Sequence, residues 1–194
     1  MEIVKFDRVF DAGQIPAVYE KHIAFSGKSN VGKSSLLNTL FNRKKLAPTS
    51  SRPGKTRGLN LYIANGRFIL CDLPGYGYAA FSKAQREQFL LLSAEYFRAF
   101  ADRLFLFVLI DIRRDVSELD VSLLNYCSEY SIPFGLVLTK TDKISKNKQI
   151  SRQAVIKKQL SLYKIKTDHV FPVSVREKNG ISDLSNFLLN LLSR

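Results

Sequence analysis

The chain has 194 residues and carries 30 Lys and Arg against 17 Asp and Glu, a net charge of +13. The length suits one domain with a full hydrophobic core, and a composition of 45% hydrophobic and 24% charged residues argues against a disordered, collagen-like or coiled-coil chain. The N-terminus lacks the apolar core of a signal peptide, and the longest apolar run, residues 104–110, is far too short for a membrane span, so we expect no secretion and no integral membrane association.

The cysteine content indicates the cellular compartment. Cys71 and Cys127 are too few to form a disulfide framework. Cys71 lies in an apolar run, where a buried and reduced thiol is the usual state. The sequence therefore predicts a protein of the reducing cytoplasm.

Strand-like and helix-like segments alternate along almost the whole chain. An apolar run at 22–25 predicts a strand, and leucines with helical spacing follow it at 33–41. Two strand-like runs, 59–64 and 67–72, flank Asn65-Gly66, which favours a tight hairpin because both residues tolerate positive φ. Further strands are predicted at 103–111, 134–138 and 170–173, and further helices at 82–100, 115–130, 147–163 and 181–192.

This order of segments predicts an α/β fold with three layers. A mixed six-stranded sheet with one antiparallel hairpin would carry helices on both faces. We expect residues 21–194 to form this domain and residues 1–20 to be an N-terminal extension packed on it. Ligands of such sheets bind outside the carboxyl ends of the strands, which here means the loops after residues 25, 72, 111, 138 and 173. Four of these five loops carry a motif.

The first motif is a phosphate-binding loop. Gly27-Lys-Ser-Asn-Val-Gly32-Lys33-Ser34 matches G-x-x-x-x-G-K-[ST] and lies between a predicted strand and a predicted helix. Its glycines allow successive backbone N–H groups to cradle phosphate oxygens, and the positive end of the following helix adds to the attraction. Lys33 supplies charge to the outer phosphates and Ser34 offers a hydroxyl to Mg²⁺. The motif predicts a P-loop NTPase.

Two later segments offer further ligands to Mg²⁺ and phosphate. Asp72-Leu-Pro-Gly75 follows the second hairpin strand, where the acid holds the Mg²⁺ shell and the glycine N–H meets a γ-phosphate. Residues 47–58 fit no helix or strand and predict a mobile loop. Within that loop Thr56 is the preferred second hydroxyl for Mg²⁺, because Thr49 lacks flanking glycines. The predicted metal ligands are thus Ser34, Thr56 and Asp72.

The loop after the strand at 134–138 determines the base. Asp142, in Thr139-Lys140-Thr141-Asp142, accepts hydrogen bonds from the ring N–H and the exocyclic amine of guanine, whereas adenine would leave the carboxylate unpaired. An unmade charged hydrogen bond costs at least ~1–3 kcal/mol, so guanine is favoured and an ATP-using enzyme is disfavoured. The stem of Lys140 would lie along the base plane. Ser174-Val175 closes over the base with backbone N–H groups, although this is the least specific of the motifs.

The positive charge is concentrated in two patches. Residues 43–57 hold six basic residues and no acid, and residues 140–194 hold 12 basic and 4 acidic residues. A surplus of this size favours a polyanionic partner, either nucleic acid or an anionic membrane face. Tyr76, Tyr78 and Phe81 would stack on RNA bases or, more simply, form a hydrophobic segment.

The quoted motifs together resemble one family. Residues 23–38, Pro53-Gly-Lys-Thr-Arg, Asp72-Leu-Pro-Gly-Tyr-Gly-Tyr-Ala79 and Thr139-Lys-Thr-Asp-Lys143 are similar to the EngB (YihA/YsxC) family of bacterial GTPases. The resemblance implies a Ras-like fold, Mg²⁺-dependent GTP hydrolysis and a role in maturing the large ribosomal subunit, needed for growth and division. Lys28 stands where the family usually has Arg, and Val175 replaces the usual small residue.

Motifs and resemblance together define the predicted site. The GTP- and GDP-contacting residues are Gly27, Lys28, Ser29, Asn30, Val31, Gly32, Lys33, Ser34, Gly54, Lys55, Thr56, Arg57, Gly58, Asp72, Leu73, Pro74, Gly75, Thr139, Lys140, Thr141, Asp142, Val173, Ser174 and Val175. The partner would be the rRNA of the large subunit or its precursor, bound by a monomer through the basic patches. The alternative is a regulatory switch in septation or signalling that has no RNA target.

Catalysis is assigned to Lys33, Asn30 and Thr56. Tyr76 occupies the position where many Ras-like proteins have a water-orienting glutamine, so we expect slow intrinsic hydrolysis at ~10⁻⁴–10⁻³ s⁻¹. Resemblance to cation-dependent GTPases suggests that the Asn30 amide helps to bind K⁺, which would supply the charge of an arginine finger. The alternative is that Asn30 only stabilises the turn of the loop.

Overall fold

The structure is a computed structural model that describes residues 2–16, 18–43, 58–76 and 82–193. Seven strands lie within these ranges: β1 (Ile3–Val9), β2 (Lys21–Gly27), β3 (Leu59–Ala64), β4 (Phe68–Asp72), β5 (Leu104–Asp111), β6 (Phe134–Thr139) and β7 (Val170–Pro172). The helices there are α1 (Lys33–Leu40), α2 (Lys83–Phe100), α3 (Glu118–Glu129), α4 (Lys146–Leu162) and α5 (Ile181–Ser193).

The strands form one mixed sheet in the order β1-β3-β4-β2-β5-β6-β7. β3 is antiparallel to β1 and β4, and the remaining neighbours are parallel. The predicted hairpin is confirmed, since Asn65 and Gly66 both have positive φ, 51° and 69°. Among the described helices, none has the length and apolarity needed to cross a bilayer.

The sheet has one strand more than the six predicted. The additional strand, β1, lies within the predicted N-terminal extension and pairs with β3 from Ile3 opposite Ala64 to Val9 opposite Leu59. Its register shifts between Lys5 and Asp7, so its apolar residues do not follow the simple alternation that identifies a strand in a sequence.

Helices cover both faces of the sheet and bury two apolar clusters. α1 and α5 pack on one face through leucines such as Leu36 and Leu188, and α2, α3 and α4 pack on the other. All eight residues of β5 are buried, as expected for the central strand of a covered sheet. The predicted α/β P-loop class is therefore confirmed. α3 begins at Glu118, later than the predicted residue 115, and Ser117 and Asp120 form its capping box.

One histidine is sealed in the core. His22 on β2 has no exposed surface, stacks on Phe100 at 4.0 Å between ring centroids, and shares a hydrogen bond of 3.1 Å between Nδ1 and the Tyr96 hydroxyl. Its Nε2 has no partner among the described residues. Burial, aided by the charge of Arg103, lowers the pKa of His22 from 6.5 to about 4. The imidazole is thus neutral in the folded protein.

This histidine should make the fold sensitive to acid. In the unfolded chain His22 is protonated below about pH 6.5, whereas in the folded chain it stays neutral down to about pH 4. The contribution of neutral His22 to the free energy of unfolding is therefore fully present above pH 6.5 and decreases as the pH falls. A shift of this size corresponds to about 3 kcal/mol of unfolding free energy by pH 4.

Urea denaturation at pH 7 and pH 4.5 measures this effect. His22→Gln should lose less stability than the wild type on acidification, whereas His169→Gln, at the exposed second histidine, should behave as the wild type. An identical loss in the wild type and His22→Gln would contradict the prediction.

Candidate nucleotide-binding site

The loop between β2 and α1 has the conformation of an anion cradle. Asn30 and Gly32 both adopt left-handed backbone conformations, with φ of 63° and 106°. Residues with a side chain rarely adopt the φ angle of Gly32, which explains why glycine occupies this position. The first hydrogen bond of α1 runs from Leu36 N to Gly32 O, so the N–H groups of the preceding turn have no partner within the helix. They are available to a phosphate.

Two carbonyl groups of this loop accept hydrogen bonds from the predicted guanine-specific segment, residues 139–142. The Thr139 hydroxyl donates to Val31 O at 2.7 Å, and Lys140 Nζ donates to Asn30 O, also at 2.7 Å. Thr139 is buried, so its hydroxyl binds the loop from the interior of the domain. Two hydrogen bonds therefore join the end of β6 to the phosphate loop.

The segment after Asp72 closes the other side of the loop. Tyr76 N donates to Gly27 O at 3.2 Å, and Ser29 N donates to Tyr76 O at 2.9 Å. A Cβ at Gly75 would lie 3.2 Å from Gly27 O and from Ser29 N, so the close approach favours glycine. The Tyr76 hydroxyl donates to Asp120 on α3, and burial beside that carboxylate raises the pKa of Tyr76 well above its usual value. The side chain of Tyr76 therefore connects the segment after Asp72 to α3.

Two predicted phosphate and metal ligands are paired with each other. Lys33 Nζ donates to Asp72 Oδ1, and both side chains are at most 10% exposed. The second carboxylate oxygen accepts from Asn60 Nδ2 at 3.4 Å, and Asn60 Oδ1 accepts from Arg8 Nε at 3.1 Å. Sequence reasoning missed Asn60, although a lone amide within the apolar strand β3 is a recognisable signal.

The donor set at this point fits Mg²⁺. The Asp72 carboxylate and the Ser34 hydroxyl are hard oxygen donors, which Mg²⁺ prefers, and a few protein ligands suffice because substrate phosphates and water complete the shell. When bound, the ion neutralises charge on the β- and γ-phosphates. The predicted third ligand, Thr56, lies outside the described residues, as do Gly54, Lys55 and Arg57. Gly58 lies just before β3 and is buried.

The predicted base-binding residues meet at the ends of β6 and β7. The Ser174 hydroxyl donates to Asp142 Oδ1 at 2.9 Å, and Lys143 Nζ lies 3.5 Å from Oδ2. Partial burial acts to raise the pKa of Asp142, but the Ser174 hydrogen bond and the Lys143 charge outweigh it and lower the pKa. A fixed carboxylate is the acceptor that the two N–H donors of guanine require. Thr141 and Val173 are buried beneath it, and Val175 packs against the core.

Fold and site together define a P-loop GTPase, and comparison with known proteins agrees. The sequence profile of the family described as 50S ribosome-binding GTPase matches residues 22–140. The probable GTP-binding protein EngB of Kosmotoga olearia is 40% identical over 189 residues, with 97% of each chain covered. The protein of the same name from Thermoanaerobacter pseudethanolicus is 43% identical over 185 residues, with 95% of each chain covered. The chain belongs to the EngB family of GTP-binding proteins.

Solved structures confirm the fold. A crystal structure of a probable GTP-binding protein EngB superposes with a TM-score of 0.71 at 23% identity, covering 89% of this chain and 98% of that one. Era, solved with MgGDPNP and nucleotides 1506–1542 of 16S ribosomal RNA, gives 0.68 at 22% identity and covers 88% of this chain and 56% of Era.

Base selectivity should depend on Asp142. In Asp142→Asn the amide can donate to the additional carbonyl of xanthine, so we expect preference to move from guanine to xanthine nucleotides. The loss of GTP affinity should be about fivefold to well over a hundredfold, given ~1–3 kcal/mol for an unmade charged hydrogen bond.

Competition calorimetry with GTP, ATP, GDP and XDP tests the assignment. Ser174→Ala is the matched control: it removes the hydroxyl that orients Asp142, so GDP affinity falls but no xanthine binding appears. Wild-type binding of ATP within about threefold of GTP, a difference under 1 kcal/mol, would refute the assignment.

Proposed function

We propose that this GTPase binds the large ribosomal subunit or its precursor in the GTP state and assists its assembly, thereby supporting growth and division. The observation that carries this proposal is the surface of α4. Helix α4 contains five basic residues and no acidic residue. Only Ile156 and Leu160 among its residues are buried, so most of the helix faces solvent.

The charges of this helix are available to a partner. Four lysines, Lys146, Lys148, Lys157 and Lys158, are exposed, and none of them forms an ion pair within the described parts of the chain. Lys164 and Lys166 extend the exposed basic surface beyond the helix. Unpaired surface lysines attract the phosphates of nucleic acid and release counterions on binding. Membership of a ribosome-binding family supports rRNA as the source of those phosphates.

The other predicted basic patch lies almost entirely outside the described residues. Of residues 43–57, only Arg43 lies within the described residues. Tyr78 and Phe81, the other proposed base-stacking side chains, also lie outside them. Tyr76 is bound to Asp120 within the protein, which favours the hydrophobic-segment interpretation for that residue. The RNA proposal therefore rests on α4 and the two lysines that follow it.

Replacing four of these lysines should weaken ribosome binding selectively. Lys157, Lys158, Lys164 and Lys166→Gln should lower affinity for large-subunit particles and reduce the log–log salt slope by about 0.7 to 0.9 per lost phosphate contact. GTP affinity should not change, because all four lie outside the predicted nucleotide site. Cosedimentation at several salt concentrations measures the slope.

Two controls separate the alternatives. Arginine at the same four positions preserves the charge and should preserve binding. Unchanged binding and salt slope in the glutamine variant would exclude this surface as the RNA site. A wild-type protein that binds no particle in either nucleotide state would favour the alternative, a regulatory switch in septation or signalling without an RNA target.

We also propose slow GTP hydrolysis with Lys33, Asn30 and Thr56 as the contributing residues. Tyr76, which replaces the water-orienting glutamine of other switches, is held by Asp120. Lys33 would leave Asp72 for the nucleotide phosphates, and Ser34 and Asp72 would then be free to hold Mg²⁺. The exposed side chain of Asn30, within the phosphate loop, would offer an amide oxygen to a monovalent cation beside the nucleotide phosphates.

Hydrolysis should therefore be faster in potassium than in sodium. Single-turnover rates at equal ionic strength should differ in the wild type and become equal in Asn30→Ala, while GDP affinity in Na⁺ should change little. Without the cation the expected rate is ~10⁻⁴–10⁻³ s⁻¹. Equal wild-type rates in the two salts would refute the role of K⁺ in the isolated protein.

A further inference from the structure

Of the five loops predicted to bind ligands, the loop after β5 is the one without a nucleotide-binding motif. An acidic residue, Asp111, nevertheless lies where this loop begins, beside the predicted site. Asp111 is the last residue of β5 and lies opposite Thr139 of β6 in the sheet. It is only 6% exposed. Its position at the carboxyl edge of the central strand brings it next to both the phosphate loop and the guanine-specific segment.

The charge of Asp111 is fixed by its neighbours. Arg113 donates to it three times: from the backbone N at 3.1 Å, from Nε at 2.9 Å and from Nη2 at 2.7 Å. Burial acts to raise the pKa of Asp111, but the hydrogen bonds from Arg113 and Lys140 outweigh it and lower the pKa to about 2. The side chain is therefore an oriented anion throughout the physiological range.

This anion faces the lysine of the guanine-specific segment. Lys140 Nζ lies 3.1 Å from Asp111 Oδ2 and donates to Asn30 O at 2.7 Å, so one ammonium group bridges β5 and the phosphate loop. The backbone of Lys140 is itself in the left-handed region, with φ of 61°. A flexible four-carbon side chain loses much rotamer entropy when it is held in one conformation, and a fixed counter-charge offsets that loss.

We propose that Asp111 is a positioning residue for guanine nucleotide binding. It holds the Lys140 ammonium group over the Asn30 carbonyl, which keeps the Lys140 stem beside the base and the Asn30–Val31 peptide in its phosphate-binding orientation. The nucleotide then meets both halves of its site already joined. The inference rests on the assignment of Lys140 to the guanine pocket. Substitution of Lys140 alone tests that assignment, and substitution of Asp111, alone and together with Lys140, tests the role of Asp111.

A double-substitution cycle tests the coupling. Asp111→Asn retains the shape and an acceptor for Arg113 but loses the charge that holds Lys140. GDP and GTP affinity should fall together by about tenfold, the loss expected for one charge-assisted hydrogen bond, while the preference for guanine over xanthine stays because Asp142 is intact. Lys140→Ala should also weaken binding, and the double variant should be within about twofold of Lys140→Ala alone, because a shared interaction is lost only once.

A matched control separates positioning from general support of the loop. Arg152 donates from Nε to Ile112 O at 2.9 Å and from Nη2 to Asp115 at 3.0 Å, so it stabilises the same loop without contacting Lys140. Arg152→Gln should lower the melting temperature but leave GDP affinity within about twofold of the wild type.

The outcomes distinguish the two assignments. If Lys140→Ala weakens binding but Asp111→Asn does not, or if the effects of the two substitutions multiply in the double variant, the role of Asp111 is overturned. If Lys140→Ala leaves GDP affinity unchanged, the assignment of Lys140 to the guanine pocket is wrong, and the role of Asp111 falls with it.

Discussion

The site depends on an electrostatic constraint in the phosphate loop. When the backbone N–H groups of a loop point toward an anion, the carbonyl groups of the same peptides point away from it. Those carbonyl groups then need hydrogen-bond donors of their own. Here the partners come from distant parts of the chain. Thr139 binds Val31 O, Lys140 binds Asn30 O, and the backbone of Tyr76 binds Gly27 O. The loop is held open for phosphate by the segments that surround it.

These contacts connect segments that are predicted to bind different portions of the nucleotide. The segment predicted to recognise the base shares hydrogen bonds with the predicted phosphate loop, and the segment predicted to sense the γ-phosphate pairs with the same loop on its other side. Because the strands that carry them are buried in the centre of the sheet, their ends are rigid supports.

The sequence predicted the parts of this arrangement that use local patterns. The phosphate loop, the hairpin at Asn65-Gly66 and the alternation of strands and helices depend on short-range geometry, and the structure confirms each of these elements. The residue roles within the nucleotide site stay predictions. Asn60 carried a signal as a lone amide in an apolar strand, but its partner Asp72 lies 12 positions away, and the partners of Asp111 and Asp120 lie 29 and 44 positions away. Which acid faces which lysine is decided by the order of the strands, which no local pattern contains.

The low reactivity of the two cysteine thiols follows from their burial in the core. Burial raises the pKa of Cys127 to about 12 and that of Cys71, on β4 beside Asp72, well above its usual value. Alkylating reagents attack the thiolate, so both side chains are inert while the sheet is closed. The rate at which they are modified then measures how often the domain opens. Since any ligand that binds only the folded state makes opening rarer, cysteine labelling would report nucleotide occupancy without a probe attached to the protein.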